Sequence, residues 1–183
     1  MNNRQQLLEA LQAHQPFDAH EATMLQQMIQ FVADSPWVFS RENLAGHITA
    51  SAWIVNPAFD QVLMLHHAKL NKWLQPGGHA DGNENLFEVV KSELEEETGI
   101  AGIADPQLFD IDIHAIPAKG EVPEHLHYDV RFLVVVPDDQ VIMRNEESND
   151  LSWFPLHDIL KLNGESSIER MVNRTYQLQT QAL

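Results

Sequence analysis

The spacing of apolar residues changes along the chain and separates helical from extended segments. Residues 3–35 carry apolar side chains at helical intervals on both sides of Pro16, which predicts two helices, the second ending at Pro36. From residue 46 the period falls to two, and residues 46–55 alternate in the manner of a strand. The same reasoning predicts strands at residues 61–66, 73–74, 108–113, 125–136 and 151–154, and a terminal helix from Ser166 or Ser167.

One further helix follows a pair of glycines and ends at Gly99. Asn83 or Asn85 can cap its start, and apolar residues recur every four positions through its first half. Its second half is acidic, and the stripe that should face the core continues into glutamates. The apolar residues are Leu86, Val90 and Leu94, and the glutamates are Glu93, Glu96 and Glu97.

So many like charges on an inward face need compensation. Carboxylates three or four residues apart on a helix repel by about 0.2–0.5 kcal/mol per pair when exposed, and by more when partly buried. A divalent cation would remove this repulsion, and oxygen ligands in a chain without cysteine suit Mg²⁺ or Mn²⁺. The alternative is a solvated, charged helix face, which the inward direction of the stripe disfavours.

The same stretch resembles the Nudix box, the signature of the Nudix hydrolase family with its MutT-like members. The box has the form G-x5-E-x7-R-E-U-x-E-E-x-G-U, where U is aliphatic, and eight of its nine specified positions match here with the spacing intact. The exception is Ser92, which stands where the family has arginine. The nine positions are Gly78, Glu84, Ser92, Glu93, Leu94, Glu96, Glu97, Gly99 and Ile100.

The resemblance implies a fold. The expected class is α/β, a Nudix-type α/β/α sandwich with a mixed sheet, and strands that alternate with helices independently favour this layered class. We expect residues 41–183 to form this domain and residues 1–40 to form an N-terminal helical extension, a hairpin of two helices. In this hairpin His14 and His20 are expected to face solvent.

The resemblance also implies roles for particular residues. The metal ligands would be Glu93, Glu96 and Glu97, together with the backbone carbonyl of Gly77. The residues that support the box would be Gly78, Glu84 and Gly99. The general base would be Glu93 or, in a later loop, Glu146 or Glu147.

The predicted strand at residues 125–136 carries a polar face in its first half. This face is either one wall of a cleft or a solvated sheet face, and the sequence leaves both open. Two histidines two residues apart with an aspartate could also hold a transition metal, although the carboxylate helix is the stronger candidate for a metal centre. The expected substrate-binding residues are His125, His127, Asp129 and Arg131 of this face, with Trp73.

Bulk composition limits the classes of partner. The chain has 183 residues, a formal net charge of −16 at pH 7 and no cysteine, which excludes disulfides, thiolate metal sites and a cysteine nucleophile. The charge disfavours nucleic-acid polymers and anionic membranes. Residues 1–15 lack the apolar core of a signal peptide, and no window reaches the roughly 20 apolar residues of a membrane span. We therefore expect a cytoplasmic protein that acts on a small molecule, with a homodimer left open.

The resemblance, supported by the carboxylate helix, implies a metal-dependent hydrolase that cleaves a diphosphate bond in a nucleoside diphosphate linked to another moiety, or in a related nucleotide. The resemblance implies nucleoside diphosphate sugars such as ADP-ribose, dinucleoside polyphosphates and nucleoside triphosphates as candidate substrates. The alternative is a nucleotide-binding module with reduced or lost hydrolysis, which Ser92 supports unless Lys91 or Arg131 supplies the missing charge. An isopentenyl diphosphate isomerase, a relative on the same fold, is disfavoured because that chemistry uses a cysteine and this chain has none.

Overall fold

The structure is a computed structural model that describes residues 3–104, 106–146 and 148–181. The helices are α1 (Arg4–Ala13), α2 (Ala19–Asp34), α3 (Leu86–Thr98), α4 (Ile159–Leu162) and α5 (Ser166–Gln181), with a 3-10 turn at Leu156–Asp158. The strands are β1 (Gly46–Val55), β2 (Gln61–His67), β3 (Lys72–Leu74), β4 (Gly77–His79), β5 (Gln107–Ile116), β6 (His125–Val135) and β7 (Ser148–Pro155). None of the helices in these ranges has both the length and the apolar composition to cross a membrane.

Strand β1 lies at the centre of the sheet because both of its edges are paired. β6 runs parallel to β1 along its whole length, from Gly46 beside Leu126 to Val55 beside Val135. The opposite edge is divided, since β4 pairs antiparallel with residues 49–51 and β2 pairs antiparallel with residues 54–55. β3 and β7 pair with β2, and β5 pairs with β6. All ten residues of β1 are buried as a result.

Helices cover both faces of this mixed sheet. On one face, alternate residues of β1 from Ile48 to Ile54 pack with apolar side chains of α1, α2 and α3. On the other face, Trp53 and Val55 pack with α5, and the Trp53 indole N–H donates a hydrogen bond to Thr175 Oγ1 at 2.9 Å. The predicted α/β/α sandwich with an N-terminal helix pair is therefore confirmed.

The sheet contains one strand that the sequence analysis does not predict, and β1 is more deeply buried than an alternating pattern requires. Residues 77–79, where the sequence predicts no strand, form β4, whose pairing with β1 uses backbone groups and needs no alternation of side chains. The predicted alternation in β1 is present, but neither face reaches solvent, because the polar side chains of one face are themselves buried.

The N-terminal hairpin packs into the main core. Leu7, Leu11 and Met28 are fully buried in the cluster that contains the apolar face of β1. The Phe31 ring of α2 stacks on Tyr128 of β6, with centroids 3.9 Å apart and planes inclined by 4°. The hairpin is thus continuous with the core of the sheet.

A buried carboxylate connects this hairpin to α5. Glu21 of α2 is fully buried, and it accepts hydrogen bonds from the Phe17 backbone N–H and from Arg174. His14 Nε2 lies 2.8 Å from Glu21 Oε1, and the His14 side chain is only 5% exposed, so the prediction that His14 faces solvent is wrong. Burial alone would raise the pKa of Glu21, but these partners outweigh it and lower the pKa from 4.5 to about 2.

We expect Glu21→Gln to lower the free energy of unfolding at pH 7 by about 3 kcal/mol, which is the free energy that corresponds to this pKa shift. Below pH 4.5 the unfolded chain binds a proton at Glu21 that the native state refuses, so this stabilisation is lost as the pH falls from about 4.5 towards 2. Urea unfolding at several pH values should show the gap between wild type and variant closing over this window. The control is Glu9→Gln on the exposed face of α1. A gap that is independent of pH would contradict the assignment.

Candidate active site

A polar face runs across three neighbouring strands on the α5 side of the sheet. The parallel register places Ser51 beside Arg131, Thr49 beside Asp129 and His47 beside His127. β5 continues the rows, with Asp110, Asp112 and His114 opposite Arg131, Asp129 and His127 in that order. Along the strands, the rows run from ionic residues to histidines near the N-terminal ends of β1 and β6. Asp129 and Arg131 are 5% and 3% exposed, so this face is a cleft wall and the alternative of a solvated face is wrong.

The ionic rows form a closed network. Arg131 Nε donates to Asp129 at 2.8 Å, and its two terminal nitrogens lie 3.4 Å and 3.2 Å from Asp110 and Asp112. Arg170 of α5 reaches the same network through Asp110, at 2.7 Å. Because Arg131 is buried among these aspartates, its guanidinium is held within the sheet by ion pairs. It stabilises the cleft wall through Asp110, Asp112 and Asp129.

Asp129 has a second set of partners on β1. The hydroxyl groups of Thr49 and Ser51 donate to its two carboxylate oxygens at 3.0 Å and 2.9 Å. These bonds, with that from Arg131, hold both carboxylate oxygens of Asp129 within the sheet. The alternative in which Asp129 joins His125 and His127 as ligands of a transition metal is disfavoured, because both of its oxygens are already bonded within the sheet.

The box helix meets β4 at one corner of the cleft. The Gly77 backbone N–H donates to Glu97 Oε2 at 2.9 Å. A Cβ atom at Gly78 would lie 2.2 Å from Glu93 Oε1, so only glycine lets this carboxylate pack against the strand. The two glycines therefore set the positions of the two glutamates.

Local sequence explains why α3 has these limits. The Asn85 side chain accepts from the Glu88 backbone N–H and caps the start, which resolves the two predicted candidates in favour of Asn85. Gly99 ends the helix in the left-handed region with φ of 71°, and Met143 packs against it. Ser92, in place of the box arginine, donates from its hydroxyl to Glu96 Oε1 at 3.1 Å.

The cleft has a volume of about 910 Å³. Of the predicted site residues, it is lined by Gly77, Gly78, Glu93, Glu96, Glu97, His127, Asp129 and Arg131.

Other predicted residues lie elsewhere. Glu84 is exposed and accepts from the Arg4 backbone N–H at 3.1 Å, which connects the box loop to α1. Trp73 packs edge-on against Phe154 in the α5-side core, with centroids 4.8 Å apart. The Nδ1 atom of His125 lies 2.9 Å from the Pro123 carbonyl oxygen. Glu146 is exposed, and Glu147 lies outside the described residues.

Sequence reasoning missed Arg41, which lines the same cleft. It forms an ion pair with Asp81, and this bond raises the pKa of Arg41, with a smaller contribution from the charge of Glu93. Arg41 is thus a cation close to a box glutamate. It lies 37 residues before Gly78 in an irregular segment, so no periodic signal marks it.

Three histidines from three strands also converge beside the cleft. The ligating atoms of His47 (β1), His79 (β4) and His127 (β6) all lie within 4.8 Å of one another. Burial lowers the pKa of His47 to about 4 and that of His127 to about 3, and the neighbouring histidines add to both shifts. At neutral pH both rings are neutral. His47 was not among the predicted site residues, because it is the second residue of a strand whose pattern is mainly apolar.

A family model for the NUDIX domain matches residues 46–175, more than half of the chain. The chain belongs to the Nudix family. The match begins at the first residue of β1 and extends into α5, so it includes every strand of the sheet and the box helix. The α1–α2 hairpin precedes it.

Known proteins resemble this Nudix chain in sequence and in structure. Phosphatase NudJ of Shigella boydii is 35% identical over 92 residues, which cover 49% of this chain and 55% of NudJ. The chain thus matches about half the length of these curated relatives. An Ap4A hydrolase binary complex from C. elegans has a TM-score of 0.58 at 18% identity, covering 73% of this chain and 98% of that one. The NUDIX domain of Shewanella oneidensis NrtR, complexed with ADP ribose, has a TM-score of 0.55 at 17% identity, covering 81% and 96%. At these identities the structures show a common fold.

In metal-free protein we expect the imidazole signals of His47 and His127 to keep neutral-form chemical shifts from pH 8 down to about pH 5, because their pKa values are about 4 and 3. Since both pKa values lie below 6.5, the unfolded chain binds these protons first, and stability falls as the pH drops below 6.5. Heteronuclear NMR with a His47→Gln spectrum for assignment measures both shifts. A titration midpoint near 6.5 for either ring would contradict the buried cluster.

Proposed function

We propose that this protein is a metal-dependent hydrolase that cleaves a diphosphate bond in a nucleoside diphosphate linked to another moiety, or in a related nucleotide. The observation that carries the proposal is the meeting of Glu93, Glu96 and Glu97 with the backbone of Gly77 and Gly78 in one open cleft. Membership in the Nudix family supports it. A cytoplasmic location and a homodimer remain predictions from the sequence.

The donor set at this corner suits Mg²⁺ or Mn²⁺. Carboxylate and carbonyl oxygens are the ligands that these ions prefer. Because Gly78 has no Cβ, the Glu93 carboxylate can pack directly against β4. The residues that would hold the ion are Glu93, Glu96, Glu97 and the Gly77 carbonyl. A bound ion would neutralise charge on phosphoryl oxygens and lower the pKa of a water ligand.

Two cations of the cleft can orient the phosphates. Arg41 and Lys72 both line it, and each forms an ion pair, with Asp81 and Glu165 respectively. Both cations are 58% exposed, and exposed ion pairs contribute little to stability. Either side chain can therefore exchange its carboxylate for a substrate phosphate at small cost.

Glu93 is our first candidate for the general base, because its carboxylate already lies in the cleft. Glu146 and Glu147 are the alternatives. The loop that carries them passes beside the end of α3, where the Met143 backbone N–H donates to the Thr98 carbonyl at 2.8 Å. Loss of the acidic limb of the pH–rate profile in Glu93→Gln, but not in Glu146→Gln, would support Glu93.

The substrate class is proposed from the shape and chemistry of the cleft. A volume of about 910 Å³ accommodates a nucleotide with a second moiety, and the cleft is lined by both acidic and basic side chains. Structural neighbours crystallised as an Ap4A hydrolase and with ADP ribose support dinucleoside polyphosphates and ADP-ribose-like compounds as the first substrates to test. Nucleoside triphosphates complete the panel.

A nucleotide-binding module without hydrolysis is the second candidate. Ser92 is the observation that favours it, because a serine hydroxyl bonded to Glu96 cannot supply the charge of the box arginine. Arg131 is held by aspartates, whereas Arg41 is a cation of the cleft that interacts electrostatically with Glu93. The complete set of box glutamates weighs against loss of activity.

With Mg²⁺ or Mn²⁺ and the substrate panel, we expect Glu97→Gln to lower kcat by at least about 10²-fold, because it removes a proposed ligand that also bonds Gly77. The matched control is Glu95→Gln, an exposed glutamate of the same helix that does not line the cleft. Phosphate or nucleotide release measures both. Equal activity in the two variants would contradict the site assignment, and no cleavage by wild type would contradict the enzyme.

We expect Ser92→Arg to preserve or raise kcat, because it restores the family's arginine next to Glu93 and Glu96 at an exposed helix position. The matched control is Ser92→Ala, which removes only the hydroxyl bond to Glu96. Steady-state kinetics on the best substrate of the panel compare the three proteins. A large drop in kcat for Ser92→Arg alone would show that no ion pair is missing here.

A further inference from the structure

We propose that His47, His79 and His127 form a second metal site, for a transition ion of the Zn²⁺ or Co²⁺ type, distinct from the carboxylate site of the box. The three imidazoles come from three neighbouring strands and share no ligand with the box glutamates. This inference does not depend on the hydrolase proposal, because it concerns what the three rings bind.

The geometry is close to that of a ligand set. The ligating nitrogens lie within 4.8 Å of one another, and in a tetrahedral site with metal–nitrogen bonds near 2.0 Å they would be about 3.3 Å apart. The ring centroids are separated by 4.8 Å for His47 and His127, 4.9 Å for His79 and His127, and 5.2 Å for His47 and His79. Small side-chain rotations therefore complete the site without movement of the strands.

The backbone holds these rings in place before any ion binds. His47 and His127 are register partners in the parallel β1–β6 pair, and His79 is the register partner of Thr49 in the β1–β4 pair. Side chains in register on one face of paired strands are near neighbours. The site is thus built into the most extensively paired part of the sheet.

Buried ring nitrogens of this histidine set have no hydrogen-bond partner among the described residues. His47 is 2% exposed, and neither of its ring nitrogens has a hydrogen-bond partner among the described residues. The nearby backbone of Asn43 partly offsets the lowering of the His47 pKa, but its geometry is not that of a hydrogen bond. The Nε2 atom of His127 is likewise buried and unpartnered within the described chain. Buried polar atoms without partners cost free energy, and a metal ion would accept the lone pairs of both rings.

The chemistry of the set selects the ion. Neutral imidazoles suit Zn²⁺, Co²⁺, Ni²⁺ and Cu²⁺, whereas Mg²⁺ prefers oxygen. Three histidine ligands leave a fourth position for water or a substrate atom. His79 and His127 line the cleft, so an ion can enter from it and its open position is within reach of a bound ligand. The two metal sites would then take different ions.

The test is a Co²⁺ titration of the chelator-treated full chain in excess Mg²⁺, followed by visible absorption and by metal analysis after gel filtration. We expect one tightly held equivalent with the intense bands of four- or five-coordinate Co²⁺, and we expect Zn²⁺ to displace it. A spectrum of weak octahedral bands, or no retained ion, would overturn the proposal.

Variants assign the signal to residues. His47→Gln and His79→Gln should each abolish the bands, while His20→Gln, an exposed histidine of α2, should keep them. Glu97→Gln should also keep them, because it lies in the other site. If His47→Gln fails to fold by near-ultraviolet circular dichroism, His79→Gln decides alone, since this ring is partly exposed. Bands that survive His79→Gln, or that vanish in Glu97→Gln, would place the ion elsewhere and overturn the proposal.

Discussion

The pairing of β1 along both edges is the constraint on which the rest of the structure depends. β6 occupies one edge over its full length, and β4 and β2 divide the other. A strand held in this way cannot shift register, because a slip of one residue would exchange its apolar and polar faces. The apolar face receives α1, α2 and α3, and the other face receives α5 at one end and forms the cleft wall at the other.

The same pairing positions both candidate centres. β4 brings Gly77 and Gly78 to the edge of β1, where the absence of a side chain lets Glu93 and Glu97 of the box helix approach the backbone. The next residue of this short strand is His79, whose ring lies beside those of His47 and His127. The three residues of β4 thus take part in both candidate sites, the glycines in the carboxylate site and His79 in the histidine site. On the cleft wall, the Asp129–Arg131 network keeps the buried charges paired.

The sequence was sufficient where periodicity or local chemistry carries the information. The helix cap at Gly99, the apolar stripe through Leu94 and the box glutamates all follow from spacing over a few residues. It was insufficient where partners come from distant segments. The bond between His14 and Glu21, the approach of Arg41 to Glu93 and the meeting of His47 with His79 depend on how helices and strands pack, which no local pattern encodes. β4 was missed because its three residues pair through the backbone alone.

The central claim is that the box glutamates, with the Gly77 carbonyl, hold the ion that serves diphosphate cleavage. The most direct measurement is an anomalous difference map from crystals soaked with Mn²⁺ and a non-hydrolysable ADP-ribose analogue. The account predicts a peak within coordination distance of Glu93, Glu96 and Glu97, with the diphosphate beside it. A well-ordered diphosphate in the cleft with no manganese peak at these carboxylates would contradict it.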